Sequence, residues 1–333
     1  MKTTTFHFPS ATGVCEITGR CYEPEDGTGS NPAPVLVIHH GMAEHQRRYL
    51  GLIEFLCSRG IRVYMHDMAN HGESNEDPAL TGWFGEHDGW LGLVEDFRTM
   101  VERAAHENPG RKLFVMGHSM GSFLCRLYTS MYPATPICGA VFMGTGGPNP
   151  AAGAGMAAAN LIGKLRGKKH KSRLLAAMAF GTYNKRFEKR TLNDWLTRDQ
   201  AVVDAYRADP YCGFLFTVQG MKDLVKVNVE SNKAAWYEAV PKDLPILLIS
   251  GAEDPVGDYG RGVETVCCRL EETDHTHVTE KLYPDCRHEI LNELNREAVM
   301  EDLAAWIMKV SQEAGTDENE NRACNEEKEH AMK

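Results

Sequence analysis

The sequence predicts an α/β protein, a mostly parallel sheet with helices on both faces and an inserted helical cap. Three observations predict it. Short runs such as Val35-Leu36-Val37-Ile38 and Ile246-Leu247-Leu248-Ile249 are apolar at every position, as strands covered on both faces are. These runs alternate with helix-length stretches, the pattern of β-α-β units. Finally, Gly117-His118-Ser119-Met120-Gly121 stands between the apolar run Lys112 to Met116 and a helical stretch, which places a serine on the sharp turn from strand to helix.

Taken in order, the elements begin with an exception. Thr3 to Phe8 and Val14 to Tyr22 alternate polar with apolar residues, as a half-buried antiparallel hairpin does. After the Pro-rich loop Asn31 to Pro34 come a strand at Val35 to Ile38, a helix over Tyr49 to Arg59 and a strand at Ile61 to Met65. A helix over Leu91 to Glu107, the strand before Ser119, the helix after it and a strand at Ile137 to Met143 continue the series. Between residues 147 and 241 the rhythm stops; this segment is mostly helical by pattern, holds no buried strand and is expected to be a cap. The rhythm resumes with a strand at Pro245 to Ser250, a helix near Gly262 to Leu270, a strand near Val278 to Tyr283 and a helix over Arg296 to Val310. The expected organisation is a core made of residues 1–146 and 242–312 around a cap of residues 147–241. Residues 313–333 are rich in Glu, Asn and Lys and bury too little to offset their ordering entropy, so disorder is expected there.

Composition excludes several classes. No stretch approaches the ~20 apolar residues of a membrane span, and the first residues lack the apolar core of a signal peptide. A soluble, intracellular (cytoplasmic) protein is expected, in transient peripheral contact with a membrane at most. The ten cysteines are scattered without a C-x-x-C, which favours reduced thiols. A net charge of −10 argues against general nucleic-acid binding, which needs a basic face. The 14 histidines include no H-E-x-x-H and no Cys/His set at zinc spacing, so neither a metal nor another cofactor is expected.

A serine hydroxyl is a poor nucleophile at neutral pH. It needs an imidazole to take its proton and a carboxylate to orient that imidazole. In a sheet of this kind both follow the serine in the chain, acid first, each on a loop at the carboxyl end of a later strand. Asp254, directly after the apolar run at Ile246, and His288, after the strand near Val278 to Tyr283, satisfy that order. Glu253 adjoins Asp254, but neighbouring side chains on an extended loop point apart. Asp243 and Asp258 read as surface charges, His275 and His277 fall at the wrong end of the last strand, and His118 must point away from its neighbour and reads as a packing residue. Two oxyanion donors are also needed. The backbone N–H groups of Met120, after the serine, and Met42, in the loop His39-His40-Gly41-Met42, are the candidates.

These residues resemble a known family. His40-Gly41-Met42-Ala43-Glu44-His45-Gln46-Arg47-Arg48-Tyr49 is similar to the H-G-x-x-E-H-x-x-R-Y signature of the monoacylglycerol lipase and lysophospholipase branch of the α/β-hydrolases, often grouped with serine aminopeptidases. Asp67 to Ser74 resembles that branch's D-x-x-G-H-G-x-S turn, with Asn70 where glycine is usual, and Trp195 to Asp199 and Tyr206 to Pro210 resemble its cap motifs. The resemblance implies an α/β-hydrolase fold, with Ser119 as nucleophile, Asp254 and His288 as its partners and Met42 and Met120 as oxyanion donors. It implies a carboxylester hydrolase acting on a monoacyl lipid through an acyl-enzyme. Asp67 and His71 are expected to be structural.

The cap carries the substrate information. Ala151 to Ile162 is small and apolar, suited to lining the entrance for an acyl chain, and Lys164, Arg166, Lys168, Lys169, Lys171 and Arg173 form a basic cluster that would suit an anionic membrane surface or simply face solvent. A peptidase reading would instead need a cap carboxylate to hold a free amine, from among Glu188, Asp194, Asp199 and Asp204. A ligand-binding protein that has lost catalysis is the third reading, though it usually lacks a member of the triad.

Overall fold

The computed structural model describes residues 1–25 and 33–331, with side chains through residue 314. Its strands are β1 (Lys2–Pro9), β2 (Glu16–Glu23), β3 (Val35–His39), β4 (Arg62–His66), β5 (Leu113–His118), β6 (Ile137–Met143), β7 (Ile246–Gly251) and β8 (Val278–Tyr283). They form one sheet in the order β1-β2-β4-β3-β5-β6-β7-β8. The first two make the expected antiparallel hairpin, with Lys2 opposite Glu23 and Pro9 opposite Glu16, and β2 pairs antiparallel with β4. Every other pairing is parallel.

The helices between the strands are α1 (Leu50–Ser58), α2 (Gly89–Glu107) and α3 (Met120–Met131), then α4 (Ala152–Arg166), α5 (Arg173–Phe180), α6 (Gln200–Ala208), α7 (Val218–Ser231) and α8 (Ala234–Ala239), and finally α9 (Arg261–Glu272) and α10 (Arg296–Ala331). Successive strand side chains point to opposite faces, so each covered strand serves two cores. Val35 and Val37 pack with Phe97 of α2 and Leu124 of α3, whereas Leu36 and Ile38 pack with Ile53 of α1 and Leu303 of α10. This is why β3, β5 and β7 are buried at every position and read as unbroken apolar runs, while the edge strand β8 keeps alternating exposure.

Helices α4 to α8 lie between β6 and β7, and the segment's one recorded β-link is an isolated bridge between Lys171 and Thr217. The insertion is not a separate layer throughout. The Trp236 indole of α8 donates to Arg126 O of α3 at 2.5 Å, and the buried Arg126 guanidinium donates to Ser231 O at the end of α7 and to Asn232 Oδ1. Two details were not foreseen: a short 3-10 turn at Gln46–Tyr49 before α1, and α10 extending to Ala331 beyond the expected end at Val310. Of the stretch 313–333 where disorder is expected, residues 313–331 are helical backbone of α10, with side chains described only through residue 314; residues 332–333 lie outside the described residues, as does the first half of the loop Asn31 to Pro34. Among the described residues no helix is long and apolar enough to cross a membrane, and nine cysteines are free thiols.

Candidate active site

Ser119 sits between the end of β5 and the start of α3 with φ 53° and ψ −121°, a conformation that costs a non-glycine residue about 1–3 kcal/mol. The surroundings impose it. The Ser119 N–H donates to Met143 O at 2.9 Å, and its carbonyl accepts from Ser122 N at 2.9 Å. The flanking glycines are required because a Cβ on Gly117 would collide with Gly121 O, and one on Gly121 would collide with His39 O and His40 O.

Asp254 follows β7 and is fully buried. Its Oδ2 lies 2.9 Å from His288 Nδ1 and accepts from Ser250 Oγ at 3.1 Å, while Oδ1 accepts from Val256 N at 2.8 Å. A carboxylate at Nδ1 places the ring proton there and leaves Nε2 as the basic nitrogen. Ser119 and His288 flank the same strand end. The serine amide is bonded to Met143, and a Cβ on the next residue, Gly144, would stand 3.3 Å from His288 Cε1. Among the described residues the Ser119 hydroxyl has no hydrogen-bond partner. The weighed alternatives lie elsewhere. Glu253 is half exposed and uses its backbone on Cys286 O, Asp258 pairs with Arg261 at 2.9 Å, Asp243 is exposed, and His275 and His277 sit at the opposite end of β7 beside Val240 O and Ile246 N.

The loop after β3 is pressed against the serine, since a Cβ on Gly41 would stand 3.1 Å from Ser119 Cβ and 2.7 Å from Glu44 Oε1. Met42 therefore follows the residue that touches the serine, and Met120 is the first residue of α3, whose N–H has no intrahelical acceptor. Neither N–H donates a hydrogen bond among the described residues.

Behind the loop lies a buried ionic network that sequence reasoning missed. Glu44 Oε1 accepts from Gly41 N at 2.7 Å and Tyr49 Oη at 2.9 Å and lies 3.2 Å from His118 Nδ1; Oε2 accepts from Arg48 Nη1 at 2.7 Å. Arg48 also makes a bidentate pair with Glu289, both contacts at 2.6 Å, and thereby ties the Gly41 loop to the His288 loop. Burial opposes charge on Glu44, but His118 and Arg48 outweigh it and hold the carboxyl well below its ordinary range. Burial likewise opposes charge on His118, and Glu44 more than compensates, so the imidazole is held above its ordinary value. His118 Nε2 lies 3.3 Å from His288 O. The expectation that His118 merely packs is thus corrected: it is ion-paired and supports the His288 backbone, because the elbow aims it at the buried Glu44 carboxylate. The signal was present in Glu44 and Arg48, four apart, and in Tyr49; the partners at 118 and 289 were too distant in sequence to suggest.

The Asp67 to Ser74 turn is structural in its geometry. Asp67 accepts from Gln46 N at 2.8 Å and Glu73 N at 2.9 Å, His71 Nε2 accepts from Ala43 N at 3.3 Å, and Asn70 adopts φ 54°. The cap carboxylates weighed for an amine are all engaged. Glu188 pairs with Arg287 at 2.7 Å, Asp194 with Thr191 at 2.6 Å, Asp204 with Arg190 at 2.7 Å, and Asp199 caps α6 and reaches Arg296 at 3.4 Å. Half of the basic cluster is also engaged: Lys168 contacts Glu86, Lys171 donates to Pro78 O and Thr81, and Lys169 covers Trp83, while Lys164, Arg166 and Arg173 are exposed. α4 turns Ala158, Ala159 and Ile162 inward and Leu161 and Leu165 outward. His45, Asp209 and Cys212 bring potential metal-ligand atoms within 4.8 Å of one another, though burial pushes the Cys212 thiol up, away from the thiolate a metal would need.

Comparison with known proteins places the chain among relatives of known family. Residues 30–295 match the family described as serine aminopeptidase, S33. The chain is 28% identical over 286 residues to a monoacylglycerol lipase of Mycolicibacterium smegmatis, covering 84% of this chain and 89% of the relative. It is 24% identical over 288 residues to the monoglyceride lipase of Homo sapiens, covering 86% of each. Among solved structures, a thermostable carboxyl esterase from Bacillus coagulans in complex with glycerol matches with a TM-score of 0.86 at 29% identity, over 93% of this chain and 99% of the other.

Proposed function

The chain belongs to the serine aminopeptidase S33 family of α/β-hydrolases, and from that premise we propose that it is a serine carboxylester hydrolase cleaving monoacyl lipids, a monoacylglycerol or a lysophospholipid, through an acyl-enzyme. The observation that carries the reading is the strained Ser119 at the end of β5, on the same rim of the sheet as His288, whose Nδ1 is already bonded to the buried carboxylate of Asp254. His288 takes the Ser119 proton as the hydroxyl attacks the ester carbonyl. The Met42 and Met120 N–H groups hold the oxyanion, and His288 returns the proton to the leaving alcohol. Water activated by the same imidazole then releases the fatty acid. The names of the relatives support a lipid ester. The engagement of every weighed cap carboxylate speaks against capture of a peptide amine.

In this reading the exposed Leu161, Leu165, Leu174 and Met178 of α4 and α5, flanked by Lys164, Arg166 and Arg173, touch the membrane surface from which a cytoplasmic enzyme draws its substrate. Neutralising those three cations should weaken sedimentation with anionic vesicles; unchanged binding refutes that contact. The central test is a panel of short esters, monoacylglycerols, lysophosphatidylcholine and an N-terminal proline amide. Wild type should prefer a monoacyl lipid and Ser119→Ala should lose at least ~10³-fold in kcat. Substantial residual hydrolysis by Ser119→Ala refutes the nucleophile. A protein that neither hydrolyses the panel nor takes a fluorophosphonate label at Ser119 is a binding homologue instead.

A further inference from the structure

The loop that carries His288 is held from the cap side almost residue by residue. Arg287 Nη1 donates to Asp194 O at 2.6 Å, His288 N to Trp195 O at 3.5 Å, and Glu289 N to Leu196 O at 2.7 Å. Farther along, Thr197 Oγ1 donates to Asn292 O at 3.0 Å and Arg198 pairs with Glu293 at 2.8 Å. This seam brings the Trp195 indole to the imidazole, with ring centroids 5.1 Å apart at 38°. The indole is itself braced: Tyr183 meets it edge-on at 5.0 Å, and Phe180 meets Tyr183 at 5.7 Å.

We propose that Trp195 is a positioning residue for hydrolysis, its π-face keeping the His288 ring aligned on Asp254 and stabilising the imidazolium that forms when the ring takes the Ser119 proton. This rests on the assignment of His288 as general base. A cation within ~6 Å of an indole centroid is attracted by the ring quadrupole, most strongly where water is excluded. The other charges around His288 do not make that help redundant. Asp254 is on Nδ1, but the His118 ring is 4.8 Å away and cationic in its pair with Glu44, so it opposes a second cation. Arg287 is directed to Glu188, and Glu289 to Arg48. Beside Asp254, the Trp195 ring is a close neighbour whose quadrupole favours a positive imidazole.

A space-filling role makes the opposite prediction. Removing bulk would admit water to the imidazolium and move the acid limb of the rate profile to higher pH. Loss of the π-face moves it to lower pH, because protonation of the ring becomes harder. The test measures kcat and KM against pH for wild type, Trp195→Phe and Trp195→Leu on a soluble short-chain ester, with the pH dependence of fluorophosphonate labelling of Ser119 as a second readout. For Trp195→Leu we expect kcat to fall about tenfold, KM to change less than about threefold, and the acid limb to move down by about half to one unit. Trp195→Phe, which keeps an aromatic face and folds if the leucine variant does not, should recover most of both changes. An acid limb that stays in place or moves up, or a phenylalanine variant as impaired as the leucine one, overturns the proposal. A wild-type enzyme that neither turns over ester nor labels overturns the assigned reaction, and this inference with it.

Discussion

Glu44→Gln tests whether the buried ionic network stabilises the fold or merely fills it. The side chain is 4% exposed and receives four donors, two of them on the cationic partners Arg48 and His118. Glutamine keeps the shape but turns one acceptor into a donor and removes the charge. Breaking a buried pair costs about 3–5 kcal/mol when the other charge is left alone. Here Arg48 retains Glu289 and His118 can release its proton, so about 3 kcal/mol is expected. At ~2–4 °C per kcal/mol that lowers Tm by roughly 6–12 °C. Because Glu44 holds His118 above its ordinary value, the pair's contribution is fully present below that ordinary value and is lost as pH rises through the raised one. The deficit should therefore be larger at pH 6 than at pH 9. Urea unfolding of wild type, Glu44→Gln, His118→Asn and the double variant at both pH values measures this, with a coupling of about 1–2 kcal/mol expected between the two sites. A Glu44→Gln protein within about 0.5 kcal/mol of wild type at both pH values would refute the reasoning.

Three further outcomes follow from single positions. Ser119→Gly should abolish hydrolysis yet raise stability by about 1 kcal/mol in urea, because glycine accepts φ 53° and ψ −121° without strain; an unchanged or lower midpoint contradicts the strain. Gly41→Ala should cut kcat with little change in KM, since its methyl would press on Ser119 Cβ and the Glu44 carboxylate in the loop proposed to hold the oxyanion; wild-type kcat would show the loop to be uninvolved. Asp223 is buried with Oδ2 unpartnered, and burial pushes its carboxyl up to about 7. Asp223→Asn should be nearly silent below about pH 3, where both folded and unfolded carboxyls are protonated, and should stabilise by about 2–4 kcal/mol above pH 7, where the folded wild type must bury a charge. A denaturation series showing equal gains at both ends would overturn that account.

Much of the sheet was legible because burial on both faces writes itself into consecutive residues. Val35 to Ile38 and Ile246 to Ile249 have no polar alternative, and the serine turn betrayed itself through glycines that steric contact demands. The order of Asp254 and His288 could be read because parallel strands deliver their loops to one end of the sheet. What could not be read was pairing between loops. Glu44, His118 and Glu289 look like ordinary polar residues until the fold places them around Arg48, and their separations along the chain exceed any helical or strand period. His118 was misjudged for the same reason, since its partner is set by the shape of the elbow and not by a neighbour in sequence. The placing of α7 and α8 also escaped, because an amphipathic helix shows which stripe it buries but not against what.

The insertion leaves β6 and re-enters β7, and these two strands lie side by side. A recombination event could therefore exchange the intervening stretch like a cassette, retuning substrate choice while the sheet and the serine turn stay as they are. The seam from Asp194 to Arg198 limits how freely that can happen. Any donor segment must also supply a support for the His288 loop, so the rest of the insertion can vary more easily than the short stretch that leans on that loop.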